Sequence, residues 1–287
     1  MRLALIALTA LSLVNFAAEA AEPQKLWELT GLKTPESVLP DDSGQLLFVS
    51  NVNGDVLTKD GNGFLSKISP NGKMISAEWV KGFNAPKGLG LVGDTLYVAD
   101  IDELVAVDVA KGEITQRYPA KDAVFLNDIA VDKNGRVFVS DTGTNTIWAL
   151  DNGNFSVWLK DPKLKSPNGL LVDGDKLIVA GFGTLPDDKQ SGTPASLIQV
   201  SLADKKIRNL GDATPVGYLD GLEPLGGGAF VVTDWFQGVL YRIHASGKFE
   251  QLIDFAQGSA DLTYIPATKT VIIPLMLENK IVAYKLD

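Results

Sequence analysis

The chain has 287 residues, a formal net charge of −9, one histidine and no cysteine. An acidic chain without a Lys/Arg-rich stripe makes a poor nucleic-acid binder. Zero cysteine excludes disulfides and thiolate metal sites, and a single histidine, His244, excludes multi-histidine metal sites and any pair of catalytic histidines.

The first twenty residues read MRLALIALTALSLVNFAAEA. Arg2 supplies a short positive region, Leu3 to Phe16 is mostly apolar, and Ala18-Glu19-Ala20 fits a small-x-small cleavage site. Residues 1–20 therefore read as a secretory signal peptide, too short and wrongly flanked for a membrane anchor. The expectation is a periplasmic or secreted protein, monomeric and unanchored after cleavage. No linker-like stretch divides the remainder, so residues 21–287 are expected to form a single domain.

After the leader comes a lone strand pattern, KLWELT (25–30), and then a repeat. The segments at 35–51, 86–100, 126–141, 167–181, 219–234 and 259–275 share one plan. Each has a small or polar pair, a short apolar strand, a tight turn and a strand of alternating apolar residues. The second residues of the opening pairs are Ser37, Gly88, Asp128, Gly169, Gly221 and Asp261, at steps of 51, 40, 41, 52 and 40. A third strand follows each hairpin, as in ELVAVD (103–108) and TIWALD (146–151), and then a fourth, as in EITQRY (113–118). Four strands per repeat of about forty residues is a propeller blade. The fold class is thus all-β: a six-bladed β-propeller, four strands per blade. The sixth repeat stops after its third strand, so the N-terminal strand 25–30 is expected to close the last blade.

The two long steps each carry an excess after the second strand, at 52–63 (VNGDVLTKDGNG) and 182–195 (FGTLPDDKQSGTPA). Both overhang the face where the opening pairs sit, whereas the opposite face has only tight turns such as Asp173-Gly174. Long loops on one face of a rigid scaffold mark the working face. DGNG at 60–63 lacks the alternating ligands and closing Glu of a calcium loop and reads as a turn.

The first residues of the opening pairs are Glu36, Lys87, Asn127, Asn168, Asp220 and Ala260. In a propeller they ring one mouth of the central channel. Two carboxylates facing one tunnel repel, and a bound divalent cation resolves that cost. Carboxylate and amide oxygens without sulfur or usable histidine suit one hard cation, Ca²⁺ first, with Mg²⁺, Mn²⁺ or Zn²⁺ as alternatives. Lys87 has three readings: turned to solvent, orienting an anionic substrate, or standing in for the cation. Any one of these positions alone reads better as a backbone cap; the shared register is what favours a metal. Asp100, Asp141 and Asp234, with Asn51 in the same slot, end the second strands and read as turn caps. His244, in the third strand of blade five, reads as a packed or surface residue. Gly169 is expected to let the chain turn tightly.

The motifs LND (126–128) followed by VDKNGRVFVSDT, PNGL (167–170) and LDGL (219–222) resemble those of the gluconolactonase, regucalcin and senescence-marker family of six-bladed propellers, and more distantly the paraoxonases. The resemblance covers essentially the mature chain. It implies that Glu36, Asn168 and Asp220 hold a divalent metal and that Asn127 reaches substrate or the metal's water. There are departures: Glu36-Ser37-Val38 replaces the family's frequent Glu-Gly-Pro, Phe125 replaces an Arg often found in sugar-lactone members, and no histidine matches that of the paraoxonases. The implied activity is metal-dependent hydrolysis of a lactone or related ester, a small-molecule substrate. Asp220 or the ion's own water would act as base and Asn127 would orient the substrate or stabilise the oxyanion. Lys87, Phe125, Phe182, Tyr218 and Trp235 are candidates for substrate binding. The alternative is a non-catalytic propeller that binds a ligand or protein and carries a structural ion.

Overall fold

A computed structural model describes residues 22–184 and 192–287. Residues 1–20, read above as a signal peptide, and the centre of the 182–195 insertion lie outside the described residues.

The described chain folds as six four-stranded antiparallel sheets, and blades one to five are each made of four successive strands running from the axis outward. Blade three illustrates the plan. Its innermost strand is Leu126–Val131, followed by Val137–Asp141, Thr146–Asp151 and the outermost strand Asn154–Lys160. Blade six is built differently: Thr263–Ile265, Thr270–Leu275 and Lys280–Lys285 are completed by the N-terminal strand Gln24–Thr30. That strand pairs antiparallel with the last one, from Gln24↔Lys285 to Thr30↔Lys280. The ring is closed by hydrogen bonds between the two ends of the described chain, as the unpaired KLWELT pattern suggests.

The apolar patterning follows from this geometry. Six clusters of buried side chains lie one between each pair of neighbouring blades. Ala130 and Phe138 of blade three meet Leu170 and Leu177 of blade four, for example. Middle strands are covered on both faces, so they read as continuous apolar runs such as LFVSN and VFVSD, all buried. Outermost strands have no further neighbour and are largely exposed, as in Glu113–Pro119 and Asn154–Lys160. Burying each large aliphatic or aromatic side chain between blades contributes about 1.5–3 kcal/mol.

One irregularity positions everything that follows. In blades one to five the pairing of the two inner strands slips at the opening pair: Pro35/Val38, Pro86/Leu89, Leu126/Ile129, Pro167/Leu170 and Leu219/Leu222. Two residues oppose one, which is a β-bulge, and a bulge re-aims side chains. Backbone groups freed by the bulge find new partners. The N–H of Ser37, Asp128 and Gly221 donates to the hydroxyls of Ser50, Ser140 and Thr233 (2.8–2.9 Å) in blades one, three and five.

Candidate metal centre at the channel mouth

The bulges carry Glu36, Lys87, Asn127, Asn168 and Asp220 into the same place. All five are buried, none more than 4 % exposed. Glu36 of blade one feels the charges of Asp220, Asp261, Lys87 and Asp128, which belong to blades five, six, two and three. Side chains from so many blades can share a field only at the axis. Burial pushes the Glu36 carboxyl well above the usual carboxylate range, with the negative charges of Asp220 and Asp261 adding to it and Lys87 opposing. Burial and the charge of Asp261 push Asp220 the same way, against the side chain of Asn168. The mouth is therefore a place where negative charge is costly unless compensated.

The hydrogen-bond inventory shows where compensation is missing. Among the described residues, five buried side-chain polar atoms have no hydrogen-bond partner, and three of them are Glu36 Oε2, Asn168 Oδ1 and Asp220 Oδ1. Buried oxygens are ordinarily satisfied, because leaving one bare costs roughly 1–3 kcal/mol. Three bare oxygens from blades one, four and five, two of them on carboxylates, make a hard-cation donor set. Among the described residues no three Asp, Glu, His or Cys side chains are gathered to hold an ion. The donor set here is two carboxylates and one amide.

Lys87 does not hydrogen-bond these oxygens. Its ammonium donates to the carbonyls of Val56 and Ala85, both at 3.0 Å, and lies 4.6 Å from the centre of the Phe125 ring. Burial pulls its pKa down to about 8, against the opposing charges of Glu36, Asp100 and Asp55. The lysine is not turned to solvent and hydrogen-bonds none of the bare oxygens, while its charge partly offsets the pressure on Glu36. Asn127 is held by Thr142: its amide donates to Thr142 Oγ1 (3.2 Å), which donates in turn to the Pro167 carbonyl (2.8 Å) of the next blade. Ala260, the sixth opening residue, supplies no ligand. It sits in an apolar cluster at the mouth with Val52, Ala85, Ile101 and Met276.

Gly169 corrects an expectation. Its φ is not in the left-handed region; instead a Cβ there would lie 2.0 Å from the Asp220 carbonyl oxygen. Only glycine permits this approach of blades four and five. The acids at the ends of the second strands cap the segments that lead into the site. Asp100 accepts from Asn84 and Ala85 N–H, Asp141 from Val124 and Phe125, Asp234 from Tyr218, and Asn51 Oδ1 from Lys33.

The aromatic candidates divide. Phe182, Tyr218 and Trp235 form one cluster, with Phe182 centred 6.0 Å from Tyr218 and 6.4 Å from Trp235. Phe236 joins it, 5.2 Å from Tyr218. Phe125 stands apart, against Lys87. Sequence reasoning missed Phe236, Thr142 and Val56; only Phe236, adjacent to Trp235, carried a readable signal. It also passed over a lower acidic layer. Asp128 accepts from the N–H of Ile129 and of Leu170 (both 2.6 Å), Asp261 accepts from the Ser37 hydroxyl, and Glu223 lies near Asp261. Burial, with Asp261 adding to it and Thr263 opposing, pushes the Glu223 carboxyl up to about 8.

Comparison with known proteins gives the fold an independent footing. No family model and no curated protein matches the chain. Among solved structures, a gluconolactonase from Xanthomonas campestris matches with TM-score 0.68 at 16% identity, over 94% of this chain and 96% of that one. A catalytically inactive virginiamycin B lyase variant from Staphylococcus aureus, solved with quinupristin, matches with TM-score 0.61 at 13% identity, over 91% and 99%. The described chain is a six-bladed propeller. At such identities the likeness speaks to the fold alone, and one neighbour is a gluconolactonase while the other is a lyase.

Proposed function

We propose that the protein is an exported, divalent-metal-dependent hydrolase of a lactone or related ester. The observation that carries this reading is the trio of bare buried oxygens, Glu36 Oε2, Asn168 Oδ1 and Asp220 Oδ1, at one mouth of the channel. These residues would hold the ion. A divalent cation there supplies Lewis-acid polarisation of the substrate carbonyl and lowers the pKa of a bound water.

The chain's own groups do the rest. The Asp220 carboxylate would take the proton of the attacking water and return it to the leaving ring oxygen as the acyl C–O bond breaks. Asn127 has one amide proton on Thr142 and a second free to orient the substrate oxygen. The cluster of Phe182, Tyr218, Trp235 and Phe236 forms an apolar wall that limits water at the mouth. Of the two named neighbours, the gluconolactonase agrees better with this site. The catalytically inactive lyase variant carries alanine in place of a histidine, and this chain's single histidine is exposed at the far end of Val239–His244, away from the mouth.

The test is to strip the purified mature protein of metal, restore Ca²⁺, Mg²⁺, Mn²⁺ or Zn²⁺ singly, and assay a panel of lactones and esters. Turnover that appears only with metal is expected. Turnover indifferent to chelation, or metal-dependent thermal stability with no turnover of any lactone or ester, would overturn the hydrolase.

A further inference from the structure

Lys87 is among the largest fully buried side chains of the described residues, yet it hydrogen-bonds none of the three bare oxygens of the site. A buried ammonium requires a reason, since removing it from water is costly. Its surroundings give one. The stem rises from the innermost strand of blade two, Pro86–Val92. One N–H bonds the Val56 carbonyl in the insertion of blade one and another bonds the Ala85 carbonyl at its own strand's start. The charge lies against the ring of Phe125 in the segment entering blade three. Blade two itself has only the tight connection around Ile101 at this face (φ 57°) between its second and third strands. Its lysine thus fills the gap between loops belonging to its two neighbours.

The insertion is pinned elsewhere by contacts that leave its middle free. Val52 and Asn53 bond back to Thr34 and Lys33, Gly61 N–H donates to Asn84 Oδ1, and Lys59 pairs with Asp102. Between these ends, Val56 packs with Trp235 on the apolar cluster of Val52, Ala85 and Met276, and its carbonyl accepts the lysine's hydrogen bond.

We infer that Lys87 is a positioning residue that selects substrates: from blade two it holds the Val56 segment of blade one and Phe125 of blade three together as a single wall of the mouth, facing the aromatic cluster of blades four and five. This rests on the hydrolase reading for its consequence but not for its geometry. A wall residue changes which substrates fit, whereas one that merely stabilises the fold changes all substrates alike.

The experiment compares wild type, Lys87→Met and Lys87→Arg by amide hydrogen exchange across residues 53–62 and by kcat/KM for an unsubstituted lactone ring and for one bearing a bulky substituent. In Lys87→Met, exchange in that segment quickens by about tenfold or more while the central strands keep their protection. The ratio of kcat/KM between the two lactones shifts by about fivefold or more, through KM, and Lys87→Arg restores part of both effects. Should Lys87→Met not fold, Lys87→Arg alone shows both shifts at smaller size, because its longer planar head must displace the loop or the ring. Unchanged exchange, or an unchanged ratio with a uniform loss of kcat, overturns the inference. If wild type turns over no lactone, the hydrolase reading fails on that ground, and the exchange still decides whether Lys87 holds the wall.

Discussion

A Cβ placed on Gly169 would meet the Asp220 carbonyl oxygen at 2.0 Å, and this backbone contact cannot relax by a side-chain rotation. Gly169→Ala should force blades four and five apart where Asn168 and Asp220 must converge. We expect a loss of about 1–3 kcal/mol in stability, read by denaturant unfolding, together with weaker divalent-metal binding. At the same scale, Glu223 sets a pH dependence. A carboxyl whose folded pKa is raised stabilises the fold while protonated, so its contribution is complete below about 4.5 and lost as pH climbs through about 8. The metal-free protein should lose thermal stability across that window, and Glu223→Gln should flatten part of the decline while matching wild type at the acid end. A Tm profile of the two proteins with equal slopes would refute the assignment. These residue-level facts were only partly legible beforehand. Asn168 and Asp220 stood out because they share a register with Glu36 and Asn127. The reason for Gly169, the partners of Lys87 and the pressure on Glu223 arise from chain segments far apart in sequence, which a local motif does not encode.

The element that matters most is the bulged innermost strand. Bulges at the opening pairs aim the site residues, and acids at the ends of the second strands hold the preceding segments in place. Asp234 does this for the aromatic wall, accepting from the N–H groups of Tyr218, Phe236 and Gln237. Asp234→Ala should cost roughly 1–3 kcal/mol and raise KM more than it lowers kcat, measured by thermal unfolding and steady-state kinetics. The strands themselves were readable from alternation and turn residues. Details of turns were not: the hairpin of blade four pairs Asp173 with Lys176, so its two central residues are Gly174 and Asp175 rather than Asp173 and Gly174. The bulges also escaped the reading, because a one-residue slip leaves the hydrophobic pattern of a doubly buried strand almost unchanged.

For the whole molecule, closure by the N-terminal strand is the structural commitment. Trp27 of that strand donates to the Pro70 carbonyl (3.0 Å) of blade one and packs with Leu29 on the core between blades six and one. Deleting residues 22–30 bares the edge of Lys280–Lys285 and should lower Tm by on the order of 10 °C and promote self-association, visible by light scattering. The ring was legible because six repeats and a stray strand fit one closed count. The chemistry depends on whether the three bare oxygens at the mouth take an ion. Calorimetric titration of the metal-free mature protein with Ca²⁺, set beside Asn168→Ala, measures this directly. We expect one site per chain in wild type and at least ~10-fold weaker binding in the variant, on the scale of losing one buried polar ligand. No binding by wild type, or equal binding by both proteins, would contradict a metal centre at Glu36, Asn168 and Asp220.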